Sequence, residues 1–347
     1  MVGLDLGDQY THFCVMDRGQ QVLERGRFRT TPEAVREAFA ERHRSPVVLE
    51  AGSQSPWISA LLGELGFDAM VVDPRKIDLI SRSHRKTDTK DAELLAELAL
   101  GVPRLLGRVT HRKPSEQAAL TILRSRDLLV RQRTSAVLHV RGTCKAAGVR
   151  LRSCSSKSFH RQVLEAVPER LLPALEPVLA VLSALEEQIK VCDKKLKQLT
   201  AEYPVTSLLQ QVNGVGLITS LGFVLTIGDP SRFQKSRDVG SYLGLCPRVR
   251  QSGDSNPQLR ISKCGDPFMR RTLVQAAHYI LGPHGRDSDL RRYGERLHQR
   301  GGKAAKKRAV VAVARKLAIL LHRLWMTGEA YDPLRNSTAL LASEGRA

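Results

Sequence analysis

The chain has 347 residues, with 55 Lys and Arg against 35 Asp and Glu, which gives a formal net charge of +20. This excess of positive charge exceeds what solubility requires and indicates a polyanionic partner. Aromatic residues make up only 5% of the chain, so we expect contacts to the phosphates of duplex or structured nucleic acid to outweigh base stacking.

The cysteines are far apart and form no C-x-x-C pair, which argues against a zinc ribbon and against a disulfide framework. A reducing, cytoplasmic setting is expected. The N-terminal residues lack the basic and apolar regions of a signal peptide. The most apolar later stretch, residues 309–325, contains three basic residues and a histidine. It predicts a core-facing amphipathic helix, not a membrane span.

Residues 2–80 alternate between strand and helix patterns. Three strands are predicted for VGLDL, THFCVMD and QVLERGRF. A helix (TPEAVREAFAERH), a strand (PVVLEA), a second helix (PWISALLGELG) and a further strand (DAMVVDP) follow. Three strands in a meander followed by α/β units predict a mixed sheet with helices packed against it.

Two acidic residues fall on these predicted strands. Asp5 lies within or at the end of the first strand, and Glu50 lies at the end of the fourth. Burying an unpaired carboxylate costs several kcal/mol, so packing explains an acid at the end of the apolar segment VVLE poorly. A solvent-facing strand end is the alternative.

The stretch KTDTKDAELLAELA, residues 86–99, places two aspartates at the start of a predicted helix. Asp88 and Asp91 are three residues apart and therefore share one helix face, where two carboxylates can hold a hard cation such as Mg²⁺. The alternative is a helix start, with Thr87 or Asp88 as the N-cap and acidic side chains favoured by the helix dipole. The helix alone leaves both interpretations open.

Residues 104–161 contain fourteen Lys or Arg and only two acids, an asymmetry too large for an ordinary solvated face. Helical patterns over 116–140 and 175–199 predict a long antiparallel helical pair with one strongly basic arm. A nucleic-acid clamp is favoured over a plain coiled coil. We expect phosphate contacts from five arginines of this region: Arg112, Arg124, Arg131, Arg133 and Arg141.

A new unit begins near residue 208 with LLQQVNGVGLITSLGFVLTIGD. Its Gly214-x-Gly216 turn resembles a helix-hairpin-helix, in which amide groups at the second helix's start can meet a phosphate. An ordinary helical hairpin is the alternative. Residues 232–323 then contain twenty-one Lys or Arg against six acids, so this region also is expected to face phosphates.

The segment RQSGDSNPQ is polar, has turn-forming residues and shows no apolar period. We expect Ser252 and Ser255 on an exposed loop. A serine in such a loop is most often only a turn residue.

The order of the acidic residues, Asp5, Glu50, Asp88 and Asp91, resembles the D-E-D-D set of RuvC-like nucleases. The resemblance becomes more specific with KTDTKDAELLA, VVDPRKI and the later segments YLGLCPRVRQSG, RISKCG, MRRTL and AAH. Taken together they resemble the transposases of the insertion sequence 110 family, also called bridge-RNA-guided recombinases. The resemblance spans nearly the whole chain.

The resemblance implies an α/β plus α fold in three parts. Residues 1–103 would form a RuvC-like DEDD domain with the ribonuclease-H fold. Residues 104–200 would form the basic helical or coiled-coil region. Residues 201–347 would form a mainly α C-terminal transposase domain, which contains the helix-hairpin-helix-like segment and a catalytic serine.

The resemblance also implies an RNA-guided enzyme that cuts and rejoins donor and target double-stranded DNA through a phosphoserine intermediate. The four acidic residues would bind Mg²⁺, and Ser252 of QSG would be the nucleophile, in a composite site supplied by one subunit or two. The implied partners are both DNA duplexes, a structured guide RNA and further copies of the chain in a dimer or tetramer, with no membrane. Charge on the phosphate would be neutralised by Arg248, Arg250, Arg260, Lys263, Arg270 and Arg271.

Several alternatives remain open. Ser255 is close enough in sequence to compete with Ser252 as the nucleophile. The segment after Glu50 reads AGSQSPW, which departs from the family pattern. A metal-dependent nuclease of the junction-resolvase type, with water as its nucleophile, and a non-catalytic nucleic-acid-binding protein are the competing functions.

Overall fold

The computed structural model describes residues 1–80, 88–257 and 259–336, with the description of residues 78–80 and 88 limited to the backbone. The chain forms two compact units, Met1–Lys113 and Pro114–Ala347. The sequence predicts three parts, and the predicted boundary at residue 200 falls within the second unit. The division of that unit into two domains stays a prediction.

The first unit contains a five-stranded sheet in the order β3-β2-β1-β4-β5. The first three strands, β1 (Val2–Leu6), β2 (Tyr10–Met16) and β3 (Val22–Arg29), form an antiparallel meander. Two further strands, β4 (Val47–Glu50) and β5 (Ala69–Val72), extend it in parallel from β1. The predicted mixed sheet, with all five of its strands, is confirmed.

Helices cover both faces of this sheet. On one face, helices α1 (Pro32–Ala40) and α2 (Ser55–Glu64) pack on β1 and β4 in one buried cluster. Next along the chain are the short helix α3 (Pro74–Ile80) and α4 (Asp88–Gly101), of which α4 packs on the opposite face. Strand side chains alternate between faces, so the two helix layers contact alternate residues of β1.

Helix α4 lies unusually close to β1, at a glycine. A Cβ atom built on Gly3 would overlap the carbonyl oxygen of Ala92 and lie 2.9 Å from the amide nitrogen of Ala96. The ion pair between Arg25 of β3 and Glu93, 2.7 Å between Nη2 and Oε2, holds the same part of α4. The absence of a side chain at Gly3 therefore sets the distance between the helix and the sheet.

We expect Gly3→Ala to lower the free energy of unfolding of the first unit by about 1–3 kcal/mol, the usual cost of overpacking a close-packed core. Because a backbone carbonyl is the obstacle, α4 must move as a whole. Chemical denaturation measures the effect. Gly63→Ala is the matched control, since a Cβ at Gly63 meets nothing within 4 Å, and an equal loss of stability in both variants would contradict the prediction.

The second unit begins with two long helices, α5 (Pro114–Ala146) and α7 (Leu172–Leu199), connected through the short helix α6 (Phe159–Gln162). Buried side chains near the start of α5 pack with Leu196 near the end of α7. Those near the end of α5 pack with Leu175 and Leu179 near the start of α7. The predicted antiparallel helical pair is therefore present.

Six further helices complete the second unit: α8 (Val205–Leu209), α9 (Leu217–Ile227), α10 (Asp238–Tyr242), α11 (Pro267–Leu281), α12 (Asp289–Gln299) and α13 (Ala305–Thr327). One buried cluster joins all six helices. The predicted helix of residues 309–325 lies within α13 and buries Val313, Leu317 and Leu321 in that cluster. Of the helices described, none has the length and apolar character needed to cross a membrane.

Candidate functional site

Two of the four predicted acidic residues lie side by side at the ends of neighbouring parallel strands. The register pairs Leu4 of β1 with Leu49 of β4, so Asp5 and Glu50 occupy the next position of each strand, about 4.8 Å apart across the sheet. They share the face of Val48, which packs against α4. Both are half-buried, and both take part in polar contacts within the protein.

The direction of α4 brings its first turn toward these acids. The last residue of α4, Gly101, lies near the side chain of Gln20, in the turn that adjoins the start of β1. The helix therefore runs opposite to β1, and its N-terminal turn, with Asp88 and Asp91, lies toward the Asp5 end of the strand. Asp91 is half-buried, while the side chain of Asp88 lies outside the described residues.

The prediction that four carboxylates share a metal ion stays a prediction. Among the side chains that the structure describes, no three His, Cys, Asp or Glu lie close enough together to hold a metal ion. The side chain of Asp88 is outside that set. The residues nevertheless suit a hard divalent cation, since carboxylate oxygens are the ligands that Mg²⁺ prefers. Whether all four carboxylates can bind one metal ion depends on where the side chains of Asp88 and Asp91 lie relative to Asp5 and Glu50.

A residue that the sequence analysis missed is His12. It is the direct cross-strand partner of Asp5 in the antiparallel pair of β1 and β2, and its half-buried side chain therefore lies on the same face of the sheet. The two-residue alternation of THFCVMD, paired with VGLDL across a tight turn, was a signal that could have identified it.

The loop that follows Glu50 is held by a buried serine. The Ser55 hydroxyl donates to the carbonyl oxygen of Gly52 at 2.8 Å and accepts from the amide of Gly52 at 3.0 Å. Its third contact, 3.0 Å to Nε2 of His111, is therefore accepted from a protonated Nε2. Burial, followed by the charge of Arg112, lowers the pKa of His111, so its neutral form holds the loop. The segment AGSQSPW is therefore held by hydrogen bonds within the loop and by one hydrogen bond to His111.

Ser252 lies at the end of an exposed β-hairpin. The Ser252 amide donates to the carbonyl of Ser255 at 3.1 Å, and the reverse bond measures 3.0 Å. Between them, Gly253 has a φ of +53°, so the turn has the glycine of a type II′ hairpin at its first central position. Both serines are exposed, as predicted. Among the described residues, the Ser252 hydroxyl has no hydrogen-bond partner.

The hairpin extends well beyond the helices that hold its base. Pro247 pairs with Ile261 at the base, five residues before Ser252, so the arm can reach up to about 16 Å. The apolar Val249 is 81% exposed, which means that the arm does not pack on its own unit. Three exposed arginines line the two arms: Arg248, Arg250 and Arg260.

The base of the hairpin is held by hydrogen bonds and contains one residue with a strained backbone. Lys263 has a φ of +57°, a left-handed conformation uncommon for residues other than glycine, and its amide donates to the carbonyl of Gly244 at 3.1 Å. The Arg270 guanidinium donates to the carbonyls of Leu243 and Cys264 at 3.2 and 3.5 Å. Arg270 therefore supports the base, and its expected phosphate contact stays a prediction.

Three predicted phosphate-binding arginines lie exposed on the second unit. Arg124 of α5 pairs with Asp266, the N-cap of α11, at 2.9 Å, and the Arg124 side chain is 49% exposed. Arg131 and Arg271 both pair with Asp127, at 3.1 and 2.5 Å, and remain 62% and 41% exposed. Surface pairs of this kind leave the guanidinium available to a stronger anion. Arg112, in the first unit, is half-buried.

Arg133 is paired inside the second unit, and its expected phosphate contact stays a prediction. Its Nη1 donates to Glu186 of α7 at 2.6 Å, and the two side chains are only 13% and 6% exposed. This pair lies inside the helical pair, beside the pair between Arg126 and Asp193. A charge that is this little exposed is stabilised by its partner, so Arg133 supports the helical pair.

Arg141 also makes contacts within the second unit, and its expected phosphate contact stays a prediction. Its guanidinium donates to the carbonyls of Leu151 and Arg152 at 3.1 and 3.0 Å and stacks over the ring of Phe159, with 4.9 Å from Cζ to the ring centre. Arg141 thereby fixes the loop after α5 against the helix.

The Gly214-x-Gly216 turn joins α8 to α9 as the sequence predicted. Gly214 has a φ of +87°, and a Cβ there would lie 3.2 Å from Tyr279 of α11. The exposed Gly216 is the N-cap of α9 and, having no side chain, offers no acceptor to the amides of the first turn. The turn therefore has the shape needed for anion binding, and its phosphate contact stays a prediction.

Comparison with known proteins gives two family matches. A transposase family of the IS110 DEDD type matches residues 2–147, and the family described as Transposase IS116/IS110/IS902 matches residues 206–295. The first match contains all four predicted acidic residues. The second contains Ser252 and the Gly214-x-Gly216 turn.

Individual relatives extend over most of the chain. The transposase for insertion sequence element IS1111A of Coxiella burnetii is 27% identical over 341 residues, which cover 95% of this chain and 91% of that protein. A probable family 20 transposase of Pseudomonas aeruginosa is also 27% identical, covering 96% of this chain and 98% of its own length. The transposase for element IS1328 of Yersinia enterocolitica is 28% identical, with coverages of 81% and 84%.

Proposed function

Because the chain belongs to the IS110 family of transposases and is therefore a DNA transposase that cuts and rejoins strands, we propose that it acts through a covalent phosphoserine intermediate at Ser252. The observation that supports this proposal most directly is the exposed hydroxyl of Ser252 at the end of an arginine-lined hairpin. A serine presented in this way can reach a phosphodiester without first breaking a contact of its own.

In the proposed reaction the Ser252 Oγ attacks a DNA phosphorus atom. A phosphorus–Oγ bond forms, the phosphorus–oxygen bond to the adjacent nucleoside breaks, and the departing DNA oxygen takes up a proton. A hydroxyl of the second duplex then attacks the same phosphorus, and Ser252 regains its proton. One phosphoester is lost and one is gained in each step, so rejoining needs no ATP. Arginines of the hairpin would stabilise the charge that develops.

We further propose that Asp5, Glu50, Asp88 and Asp91 hold Mg²⁺ in this enzyme. When bound, the metal would supply a Lewis acid that polarises the scissile phosphate and assists deprotonation of a hydroxyl. The placement of Asp5 and Glu50 at adjacent strand ends, with the start of α4 on their side of the sheet, supports this assignment. The family's DEDD character supports divalent-metal use in general.

The proposed partners are donor and target DNA duplexes and a structured guide RNA that selects them, in a cytoplasmic setting. The net charge of +20 supports polyanionic partners. Recombination of two duplexes is symmetric, which favours a homodimer or homotetramer.

Substitution of the exposed arginines of α5 should change the salt dependence of nucleic-acid binding. In Arg124→Gln and Arg131→Gln we expect weaker binding, and each lost phosphate contact should lower the log–log slope of affinity against salt by about 0.9 for duplex DNA and about 0.7 for single strands. Titrations at several salt concentrations measure this slope.

Arg36→Gln is the matched control for these variants, because Arg36 is also an exposed arginine in a surface pair, 3.4 Å from Glu64. It should leave the slope unchanged. If Arg124→Gln and Arg131→Gln left the affinity for both RNA and DNA unaltered, the basic arm would not be part of the binding surface.

The proposed intermediate is tested with end-labelled DNA, the copurified RNA and Mg²⁺ under recombining conditions. We expect a slow-migrating band on a denaturing gel that protease treatment removes and chelation of the metal prevents. Release of free DNA ends without this band would instead indicate a nuclease with water as its nucleophile.

A further inference from the structure

A cleft of about 990 Å³ opens in the second unit, and the hairpin of Ser252 does not line it. Its walls are one face of α5, the turn between α8 and α9, and one face of α11. The charged and polar side chains on these walls include Arg126, Arg131, Gln210, Arg271, Gln275 and Tyr279. The reaction proposed above gives no role to this cleft.

Two of its arginines are held in place by one carboxylate. Asp127 accepts from Arg131 on its own helix at 3.1 Å and from Arg271 of α11 at 2.5 Å. Its own side chain is 18% exposed, whereas the guanidinium groups remain open to solvent. One negative charge between two positive charges leaves the group cationic, and the shared partner orders both side chains before a ligand arrives. Such a pre-ordered pair suits a phosphodiester.

The opposite wall offers further donors, and the acid on that side, Asp287, pairs with Arg292 at 2.6 Å. Residues 213–216 line the cleft, and the Gly216 N-cap of α9 has no side-chain hydrogen bond to the first turn of that helix. Backbone amides at a helix start favour an anion. The exposed Arg286 lies on the same side, where its backbone amide donates to the side chain of Asn213 at 3.1 Å.

An aromatic ring and two amides provide groups that can contact a base. Tyr279 is 46% exposed at the cleft, and its ring centre lies 6.4 Å from that of His284 at an interplanar angle of 32°. Gln210 and Gln275 line the same space with groups that donate and accept. Unpaired bases are commonly bound by stacking on such a ring together with hydrogen bonds at their edges.

The volume of the cleft limits what can enter. It lies at the upper end of the range for small-ligand sites, roughly 300–1,000 Å³, which admits a few nucleotides of one strand and excludes a duplex. We propose that the cleft binds an unpaired segment of a single polynucleotide strand, with phosphates on Arg131 and Arg271 and a base on Tyr279. This inference rests on the proposed function, in which guide RNA and opened DNA both supply unpaired strands.

Photo-cross-linking tests the assignment with the full-length chain. Short strands of one sequence are prepared as RNA with 4-thiouridine and as DNA with 5-iododeoxyuridine, and each is also annealed into a duplex. We expect cross-links from a single strand to map to the peptide that contains Tyr279. The strand type that gives the stronger cross-link identifies the source, RNA or DNA, and the duplexes should give little.

Variants then separate the contributions. Tyr279→Ala should weaken single-strand binding about fivefold to a hundredfold, the contribution of a base stacked on an aromatic ring, whereas Tyr279→Phe should retain it. Arg131→Gln combined with Arg271→Gln should also weaken it. Arg323→Gln is the matched control, since Arg323 forms an exposed pair with Glu329 at 3.2 Å outside the cleft.

Cross-links confined to other peptides, equal cross-linking of the duplexes, or unchanged binding in Tyr279→Ala would each overturn the proposal. These results are independent of the serine chemistry. If the chain formed no covalent adduct at Ser252 but cross-linked a single strand at Tyr279, the proposed function would fail and the cleft assignment would stand.

Discussion

Replacement of Ser252 by alanine is expected to abolish the covalent protein–DNA adduct and to lower strand exchange by several orders of magnitude. The expected loss is this large because the hydroxyl would form the bond that stores the phosphodiester, and no water molecule can store it in its place. Stability and nucleic-acid affinity should remain, since the exposed side chain of Ser252 makes no described contact in the protein and surface substitutions usually change stability little. Adduct formation on labelled DNA and binding titrations measure the two effects separately.

Ser255→Ala is the matched control for this variant. Ser255 lies directly across the same turn, equally exposed, and its backbone forms both hydrogen bonds with Ser252. Alanine preserves those backbone bonds, so adduct formation should change little. If Ser252→Ala still formed the adduct and Ser255→Ala did not, the nucleophile would be Ser255.

Replacement of Asp5 by asparagine is expected to reduce metal-dependent strand cleavage by orders of magnitude. Asparagine has nearly the same shape but removes the negative charge from the proposed Mg²⁺ site. A second measurement does not depend on activity. Mg²⁺ should raise the melting temperature of the wild-type protein, because a ligand that binds only the folded state stabilises it, and this shift should vanish in Asp5→Asn.

Asp68→Asn serves as the control, because Asp68 is an exposed acid of the same unit that pairs with Arg108 at 3.0 Å. It should retain cleavage and the response to Mg²⁺. Normal metal-dependent cleavage in Asp5→Asn would exclude Asp5 from the metal site and leave the role of the strand-end acids to packing.

Much of the first unit could be predicted from local pattern. Two-residue alternation in THFCVMD and short apolar runs such as VVLE identified the strands, and the acids at the ends of VGLDL and VVLE indicated the edge of the sheet where a site could form. The position of His12 beside Asp5 depended on the pairing register of β1 and β2. That register was not written in either strand alone.

The basic regions were harder to interpret, because a count of positive charges does not identify their partners. Arg133 and Arg141 lie in the same arginine-rich helix as Arg124 and Arg131. Their roles differ because Glu186 and the loop after α5 lie beside only two of them. Partners that are 53 and 10 residues distant in sequence become apparent only when the helices are packed.

The buried pair of Arg133 with Glu186 and the neighbouring pair of Arg126 with Asp193 are separated by seven residues on each helix. This common interval fixes the register of α5 against α7. At about 1.5 Å per residue, the 33 residues of α5 measure about 50 Å, close to fifteen nucleotide steps of about 3.4 Å.

Seven residues inserted into both helices would keep both ion pairs matched and lengthen the helical pair by about 10 Å. Four residues inserted into one helix would bring the carboxylate of Glu186 against apolar side chains. Relatives that protect a longer footprint on nucleic acid are therefore expected to have lengthened both helices together, in increments of about three nucleotide steps.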